Sequence, residues 1–208
     1  MSTRKKPQSI EHHISATGLE FLSKLEGSKA YVYYDVAGFP TIGVGHKLTQ
    51  HEIETEHIAI PLPLGVGAPL MVRYSSGLTQ FQILQLLSAD AAGAESVVNT
   101  QVKVALNQNQ FDALCSFCFN VGGGAFAKST LLKVLNKGQY ASVPVELLRW
   151  NKVTQHGVLV VSPGLTNRRH AEIALWRTPV PETAVETPVI PPDPKPEEIP
   201  CGPTSTTT

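Results

Sequence analysis

Two acidic side chains and one hydroxyl lie close together in the N-terminal part of the chain: Glu26, Asp35 and Thr41. Hydrolysis of a glycosidic bond needs an acid that protonates the leaving oxygen and a second carboxylate on the other face of the sugar. When that second carboxylate activates a water, the two carboxyl groups stand about 6.5–9.5 Å apart. A helix end followed by a hairpin can hold two carboxyls across such a gap. On spacing alone, a solvated acid at a helix end is the commoner alternative for Glu26.

A predicted helix positions Glu26. Thr17-Gly-Leu-Glu20 has the capping-box pattern that begins a helix, and a stripe of leucines follows on one face. Gly27 fits the position just after a helix, which places Glu26 in the last turn. The negative end of the helix dipole disfavours a charged carboxylate there, and a general acid must stay protonated.

A predicted β-hairpin positions Asp35 and Thr41. Residues 30–35 are rich in β-forming side chains, residues 36–40 favour a turn, and residues 41–46 are predicted to be the returning strand. Asp35 would then follow the first strand, and Thr41 would begin the facing one.

The rest of the folded part is predicted to be mainly helical. Capping boxes predict one helix from Thr79 to about Val98 and another from Asn107 to the glycines at 122–124. The second is apolar nearly all round, which is typical of a central core helix. Shorter helices are predicted at about 129–137, 140–150 and 166–176. The predicted fold class is therefore α+β and mainly α, with a small helix-plus-hairpin lobe and a larger helical lobe.

Composition excludes several classes of protein. The net charge is zero, but residues 178–208 carry a net charge of −4, so the remainder carries about +4 by subtraction. That mildly basic body suits an anionic polymer and is too weakly charged to indicate nucleic acid. The chain lacks an apolar run long enough for a signal peptide or a membrane span, so we expect a cytoplasmic product. Cys115 and Cys118 lie in an apolar helical run and are predicted to be buried reduced thiols. No metal, nucleotide or cofactor site is indicated.

Several motifs resemble the phage-type lysozymes, glycoside hydrolase family 24. The first block comprises Glu26-Gly27, Tyr31-Val-Tyr-Tyr-Asp35 and Gly38-Phe-Pro-Thr41-Ile-Gly-Val-Gly-His46. Residues 106–122 are similar to the central helix of the family, particularly in its lambdoid-phage branch. Residues 129–138 are similar to the next helix, and residues 150–172 contain the pattern of the terminal element. Four such blocks in order make the resemblance specific.

The resemblance covers about residues 17–177 and implies a lysozyme-like catalytic domain with a cleft between its lobes. Residues 1–16 would be an N-terminal extension. Segment 58–75, with prolines and glycines among aliphatic residues, would be an insertion that forms a long loop or a small β excursion. It would serve either as a flap on the cleft or as a neutral surface insertion. Residues 178–208 contain nine prolines and are predicted to be a disordered acidic tail.

The family's catalytic trio falls on Glu26, Asp35 and Thr41. By the resemblance, Glu26 is the general acid, and Asp35 holds the attacking water with help from the Thr41 hydroxyl. The reaction is hydrolysis of the β-1,4 bond between N-acetylmuramic acid and N-acetylglucosamine in peptidoglycan, with inversion at the anomeric carbon.

The resemblance also implies binding and supporting residues. Lys47, Phe119 and Ser129 match saccharide contacts, although an exposed lysine, a core aromatic and an N-cap serine are equally good interpretations. Arg168 matches an arginine that pairs with the catalytic glutamate, and Arg169 is the alternative for that role. Such a cation favours the charged carboxylate and opposes the effect of the helix end. His46 is expected to make structural hydrogen bonds.

Three functional hypotheses follow. The first is a monomeric endolysin of a phage or prophage, held in the host cytoplasm until a holin opens the membrane and it reaches the periplasmic peptidoglycan. The second is an interbacterial muramidase effector. The third is a non-catalytic peptidoglycan-binding relative, which the intact trio Glu26, Asp35 and Thr41 argues against.

Overall fold

The computed structural model describes residues 12–62 and 67–179, so the predictions for residues 1–11, 63–66 and 180–208 lie outside the described part. The helices are α1 (Ala16–Glu26), α2 (Gln50–Thr55), α3 (Gln80–Gln101), α4 (Gln108–Val121), α5 (Gly123–Lys128), α6 (Thr130–Leu135), α7 (Val143–Leu148) and α8 (Pro163–Arg177). The strands are β1 (Lys29–Tyr34), β2 (Pro40–Gly43), β3 (His46–Lys47), β4 (His57–Ile60), β5 (Leu70–Arg73), β6 (Lys152–Gln155) and β7 (Val158–Val161). β1, β2 and β3 form one antiparallel sheet, and β4–β5 and β6–β7 are separate antiparallel pairs.

The buried apolar side chains form two clusters that correspond to the two predicted lobes. The smaller lobe is built from α1, the first sheet, β4 and the first half of α3; its cluster includes Leu22, Ile42, Ile58, Leu87 and Ala91. The larger lobe is built around α4, which is buried from Phe111 to Cys118, and its cluster also draws on α6, α7 and α8. The end of α3 contributes Val98 to this second cluster, so α3 connects both lobes.

Helix α1 begins earlier than the sequence predicted. Its N-cap is Ser15, whose hydroxyl accepts a hydrogen bond from the Gly18 amide at 3.0 Å, so the predicted capping box at Thr17 is wrong. The buried Asp112 of α4 fixes this start, because it accepts hydrogen bonds from the Ser15 amide and hydroxyl. Gly18 allows the close approach: a Cβ atom there would lie 2.5 Å from Asp112 Cγ.

The returning strand of the hairpin is shorter than predicted. It ends at Gly43, and the chain turns back to form β3, which pairs Lys47 with Thr41 and His46 with Ile42. Gly43 and Gly45 both have positive φ, at 64° and 75°, a conformation that glycine adopts without a steric cost. The prediction of one strand through His46 is therefore wrong, and the two glycines are the reason.

Residues 50–78 contain more regular structure than the sequence indicated. Thr49 and Glu52 form a capping box that starts the unpredicted helix α2. β4 and β5 pair in register from His57 opposite Arg73 to Ile60 opposite Leu70. Of the two alternatives for segment 58–75, the small β excursion is therefore the one observed.

All five helices predicted after residue 78 are present, as α3, α4, α6, α7 and α8, although α6 and α7 are shorter than predicted. The capping boxes at Thr79 and Asn107 are present and begin α3 and α4. Helix α5 and the hairpin β6–β7 were not predicted. Helix α8 starts at Pro163 instead of Thr166, because proline occupies the first helical position well and Ser162 caps the helix.

No helix within residues 12–62 and 67–179 combines the length and the apolar character needed to cross a membrane.

Candidate active site

Glu26 is the last residue of α1, and its side chain is 28% exposed. Gly27 follows with φ of 76°, and its amide donates to the Ser23 carbonyl to close the helix. The Glu26 carboxylate accepts a hydrogen bond of 2.6 Å from Arg168 Nη2 of α8. The glutamate therefore stands at a helix end, partly open to solvent and anchored by a helix from the other end of the chain.

Arg168 belongs to a group of charged side chains that we call the ion cluster: Glu26, Arg168, Arg169 and Glu172. Arg168 Nε lies 3.4 Å from Glu172 Oε1, and Arg169 Nη2 donates to the same oxygen at 3.0 Å. Arg169 also donates to Asn120 Oδ1 at 2.9 Å. Of the two arginines left open by the sequence, Arg168 is the one in contact with Glu26.

Asp35 follows β1 and organises the turn after it. Its Oδ1 accepts hydrogen bonds from the amides of Ala37 and Phe39, each at 2.9 Å, and its Oδ2 lies 3.2 Å from Lys47 Nζ. The Phe39 amide contributes most to lowering the pKa of Asp35; Lys47 and Ala37 act in the same direction, against partial desolvation. Asp35 is therefore held as a carboxylate, which suits a group that binds a water rather than one that donates a proton.

Thr41 lies on β2 opposite Tyr33 of β1 and is only 2% exposed. Its hydroxyl donates to the Phe39 carbonyl at 2.9 Å. Because that bond uses the hydroxyl proton, the oxygen has lone pairs left to accept a hydrogen bond from a water. The turn at Phe39 thus orients both Asp35 and Thr41.

The three predicted saccharide contacts have different surroundings. Lys47 is 58% exposed, and its amine lies above the Phe39 ring at 4.5 Å from the ring centroid, besides facing Asp35. Phe119 is half-buried and packs against the core of the smaller lobe. Ser129 is buried and caps α6, where its hydroxyl accepts from the Leu132 amide. Contact of these three with a sugar stays a prediction.

His46 connects three elements of the smaller lobe. Its Nδ1 lies 3.0 Å from Asp90 of α3, and its Nε2 lies 3.5 Å from Glu52 of α2. Burial of the ring opposes protonation, but the Asp90 and Glu52 carboxylates outweigh it and raise the pKa of His46. These contacts connect β3 with α3 and α2, and a structural role for His46 stays a prediction.

No group of three or more His, Cys, Asp or Glu side chains is arranged to hold a metal ion within the residues that the structure describes. Cys115 and Cys118 are free and buried in α4, as predicted. Burial raises the pKa of both thiols, that of Cys118 to about 11, so they are inert neutral groups.

Three residues that contact the site residues were not predicted from the sequence: Glu172, Asn120 and Asp90. The available signal for Glu172 was its position three and four residues after two arginines on a predicted helix, a spacing that brings opposite charges together. Asn120 on α4 contacts Arg169 on α8, and Asp90 on α3 contacts His46 on β3; no local sequence pattern indicates contacts between such distant elements.

Comparison with known proteins gives consistent similarities in sequence and structure. Residues 23–172 match the family model described as phage lysozyme. An endolysin of Acyrthosiphon pisum secondary endosymbiont phage 1 is 37% identical over 166 residues, which are 80% of this chain and 99% of that protein.

Solved structures agree with the sequence comparison. An endolysin from Escherichia coli O157:H7 phage FAHEc1 has a TM-score of 0.62 and 34% identity, covering 81% of this chain and 96% of that chain. The muramidase domain of SpmX from Asticaccaulis excentricus has a TM-score of 0.62 and 30% identity, covering 81% and 99%. The family match contains Glu26, Asp35, Thr41 and Arg168.

Proposed function

This chain belongs to the phage lysozyme family, and we propose that Glu26, Asp35 and Thr41 carry out its reaction. It is an endolysin muramidase, a glycoside hydrolase of the lysozyme type that acts on peptidoglycan. The predicted fold class, α+β and mainly α with a lysozyme-like arrangement, is also confirmed. The bond proposed to be cut is the β-1,4 bond between N-acetylmuramic acid and N-acetylglucosamine.

In the proposed reaction Glu26 donates its proton to the leaving glycosidic oxygen. Its position supports this role, because the carboxyl group is partly exposed at the end of α1. The hydrogen bond from Arg168 fixes the orientation of that carboxyl group. A proton donor must meet the substrate and keep a fixed orientation, and this arrangement provides both.

The water on the opposite face of the sugar is proposed to bind Asp35 and Thr41. The water would donate one hydrogen bond to Asp35 Oδ2 and another to Thr41 Oγ1, so that an oxygen lone pair is directed at the anomeric carbon. As the new C–O bond forms, Asp35 would accept one proton of the water, and the other would stay on the new hydroxyl group. Attack by this water inverts the configuration. The observation that carries the assignment is the turn at Phe39, which keeps Asp35 charged and leaves Thr41 as an acceptor.

The test is digestion of purified Gram-negative peptidoglycan by the unmodified chain, Glu26→Gln and the control Glu20→Gln. Glu20 is exposed on the same helix, so its loss of charge leaves the site unchanged. We expect reducing N-acetylmuramic ends from the unmodified chain and from Glu20→Gln, detected by mass spectrometry, and none from Glu26→Gln. Anhydro-muramic ends, or equal cutting by Glu26→Gln, would contradict the mechanism.

We also propose that the protein is a monomer held in the host cytoplasm and admitted to the periplasm by a holin. The support is similarity to phage endolysins. Expression in a Gram-negative host with and without a co-expressed holin tests the route. Rapid lysis only with the holin is expected. Lysis at the same rate without it would contradict the route and leave the muramidase assignment intact.

A further inference from the structure

A groove lies where helix α8 ends, between the N-terminal ends of α4 and α7 and the C-terminal end of α8. It has a volume of about 430 Å³, and we call it the tail groove. The rings of Tyr140 and Trp176 stack there with 6.4 Å between their centroids. Two amides and two prolines complete its character: Asn107, Gln110, Pro144 and Pro179. Grooves lined by aromatic rings bind proline-rich segments in polyproline II form.

The chain leaves α8 along this groove. Helix α8 ends at Arg177, and the side-chain amide of Asn109 on α4 donates to the carbonyls of Thr178 and Pro179, at 3.0 and 3.4 Å. Pro179 is the last residue that the structure describes, and it is itself part of the lining. The backbone is therefore held against the groove at the point where residues 180–208 follow.

The chain around the groove carries positive charge without surface acids. Residues 96–145 contain a single acidic residue, Asp112, and it is buried. The same stretch contains four lysines, all exposed: Lys103, Lys128, Lys133 and Lys137. An anionic segment that lies on this part of the larger lobe therefore meets attraction from the lysines and no repulsion from a neighbouring carboxylate of the same stretch.

Three of these lysines lie beside the tail groove. Asn136 accepts a hydrogen bond from the Lys103 amide at 2.8 Å, which brings the loop after α3 against the end of α6. The Tyr140 hydroxyl donates to the Ala105 carbonyl at 2.6 Å, which joins the same two segments at the groove itself. We call the three the lysine face: Lys103, Lys133 and Lys137.

The composition of residues 180–198 fits both surfaces. This segment contains six prolines, and its five acidic residues outnumber its one lysine, so its net charge is −4. In polyproline II form its nineteen residues would span about 60 Å, at about 3.1 Å per residue. It is thus long enough to follow the groove and to continue over the lysine face.

We propose that the tail groove and the lysine face together form a docking site for residues 180–198 of the same chain. The prolines occupy the groove, and the acidic side chains lie over the lysines. Single exposed ion pairs contribute little. Because the segment is joined to the groove at Pro179, however, its docking is intramolecular, with an effective concentration on the order of millimolar. This site is separate from Glu26, Asp35 and Thr41, and the inference does not depend on their proposed roles.

A membrane of anionic lipids is the competing partner for the lysine face. It would be attracted by the same lysines, so a loss of binding on removing them cannot distinguish the two partners. The aromatic and proline surfaces of the groove and the clamp on Thr178 and Pro179 favour the chain's own segment. The test therefore has to follow that segment directly.

A nitroxide spin label on Cys201, three residues beyond the proposed segment, reports where the segment lies. Cys115 and Cys118 are buried, and burial raises the pKa of both thiols, so a maleimide reagent is directed to Cys201. The measurement is the loss of backbone amide NMR signals of the isotope-labelled full chain, relative to the same sample after chemical reduction of the label.

We expect a strong loss of the signals of residues 103–105 and 133–140 in 0.01 M salt, where the screening length is about 30 Å. The signals of the lysine face recover in 1 M salt, where that length is about 3 Å. The double variant Lys133→Gln, Lys137→Gln shows a smaller loss in low salt. The control double variant Lys24→Gln, Lys152→Gln removes two exposed lysines from other elements and keeps the full loss.

A loss spread evenly over the surface, or confined to residues 174–179, would overturn the proposal. The same holds if the loss appears only when spin-labelled chains are mixed with separate isotope-labelled chains, because the contact is then between molecules. Sedimentation with vesicles of phosphatidylglycerol and phosphatidylcholine examines the membrane. Vesicle binding that requires Lys133 and Lys137, combined with no signal loss in the absence of vesicles, would assign the lysine face to anionic lipid and reject docking of residues 180–198.

Discussion

Lys47 Nζ lies 3.2 Å from Asp35 Oδ2, and the pairing of β2 with β3 sets Lys47 directly opposite Thr41. The sequence led to the expectation that Lys47 contacts the sugar. That contact stays a prediction; the position of Lys47 also makes it an electrostatic partner of the carboxylate proposed to hold the attacking water.

Lys47→Met separates these roles. Because Lys47 lowers the pKa of Asp35, we expect the acid limb of the kcat/KM profile to move to higher pH. The shift should be less than about one unit, since the Phe39 amide has the larger effect on Asp35. A raised KM with an unmoved acid limb would instead indicate a sugar contact. Lys24→Met, on the exposed face of α1, is the control.

Arg168→Met should destabilise the protein as well as inactivate it. The change leaves Glu172 buried with one fewer partner and removes the anchor of Glu26. We expect the free energy of unfolding to fall by about 3 kcal/mol, as for a broken buried ion pair. Urea denaturation followed by circular dichroism measures it. Arg149→Met removes a pair whose arginine is 67% exposed and should cost less than about 1 kcal/mol. If both variants lost the same free energy of unfolding, the burial of Arg168 would not be the reason for its contribution to stability.

The contact between His46 and Asp90 predicts a pH-dependent stability. The folded-state pKa of His46 is raised, so its contribution is fully present below the unfolded-state value of about 6.5 and is lost as pH rises through the folded value. Asp90→Asn should therefore lower the free energy of unfolding by roughly 1 kcal/mol at pH 5.5 and by less at pH 9. A difference that is the same at both pH values would mean that the histidine is not charged in the folded protein.

Gly18→Ala tests the packing of α1 on α4, and Gly93→Ala in α3 is the comparison at a glycine without close neighbours. Gly18→Ala places a Cβ atom 2.5 Å from Asp112 Cγ and 2.8 Å from Ile14 Cγ2, which should cost about 2 kcal/mol of unfolding free energy. Gly93→Ala, inside α3 with no atom within 4 Å of the new Cβ, should stabilise the protein by about 0.5–1 kcal/mol. Thermal unfolding of both variants checks the opposite signs. A stable Gly18→Ala would show that the start of α1 can shift.

The elements predicted well from sequence are those with a strong local signal. Capping boxes marked the starts of α3 and α4, and Gly27 marked the end of α1, so Glu26 was placed at a helix end. The hairpin β6–β7 gave no such signal, because most of its residues face solvent and no alternation of buried and exposed positions exists. Ser15 was overlooked as an N-cap because the residue that selects it, Asp112, is 97 positions away.

The site shows the same division between local and distant information. Adjacent helix positions differ by about 100° in direction, so the choice between Arg168 and Arg169 depends on how α8 packs, which no local pattern encodes. By contrast, Asp35 and Thr41 both hydrogen-bond to the backbone of Phe39, which is only a few positions from each of them. A local pattern was therefore enough to predict that both lie on the hairpin.

The Glu26–Arg168 contact joins residues 142 positions apart, at opposite ends of the described chain. During synthesis the residues proposed to donate the proton and to hold the water therefore leave the ribosome long before the helix that anchors Glu26. The growing chain therefore carries Glu26 for most of its translation without the arginine that orients it, whereas Asp35 and Thr41 depend only on the local turn at Phe39. Addition of α8 is thus the step at which Glu26 acquires its anchor, and a chain that terminates before Arg168 keeps the three residues of the proposed site but lacks the contact that orients Glu26.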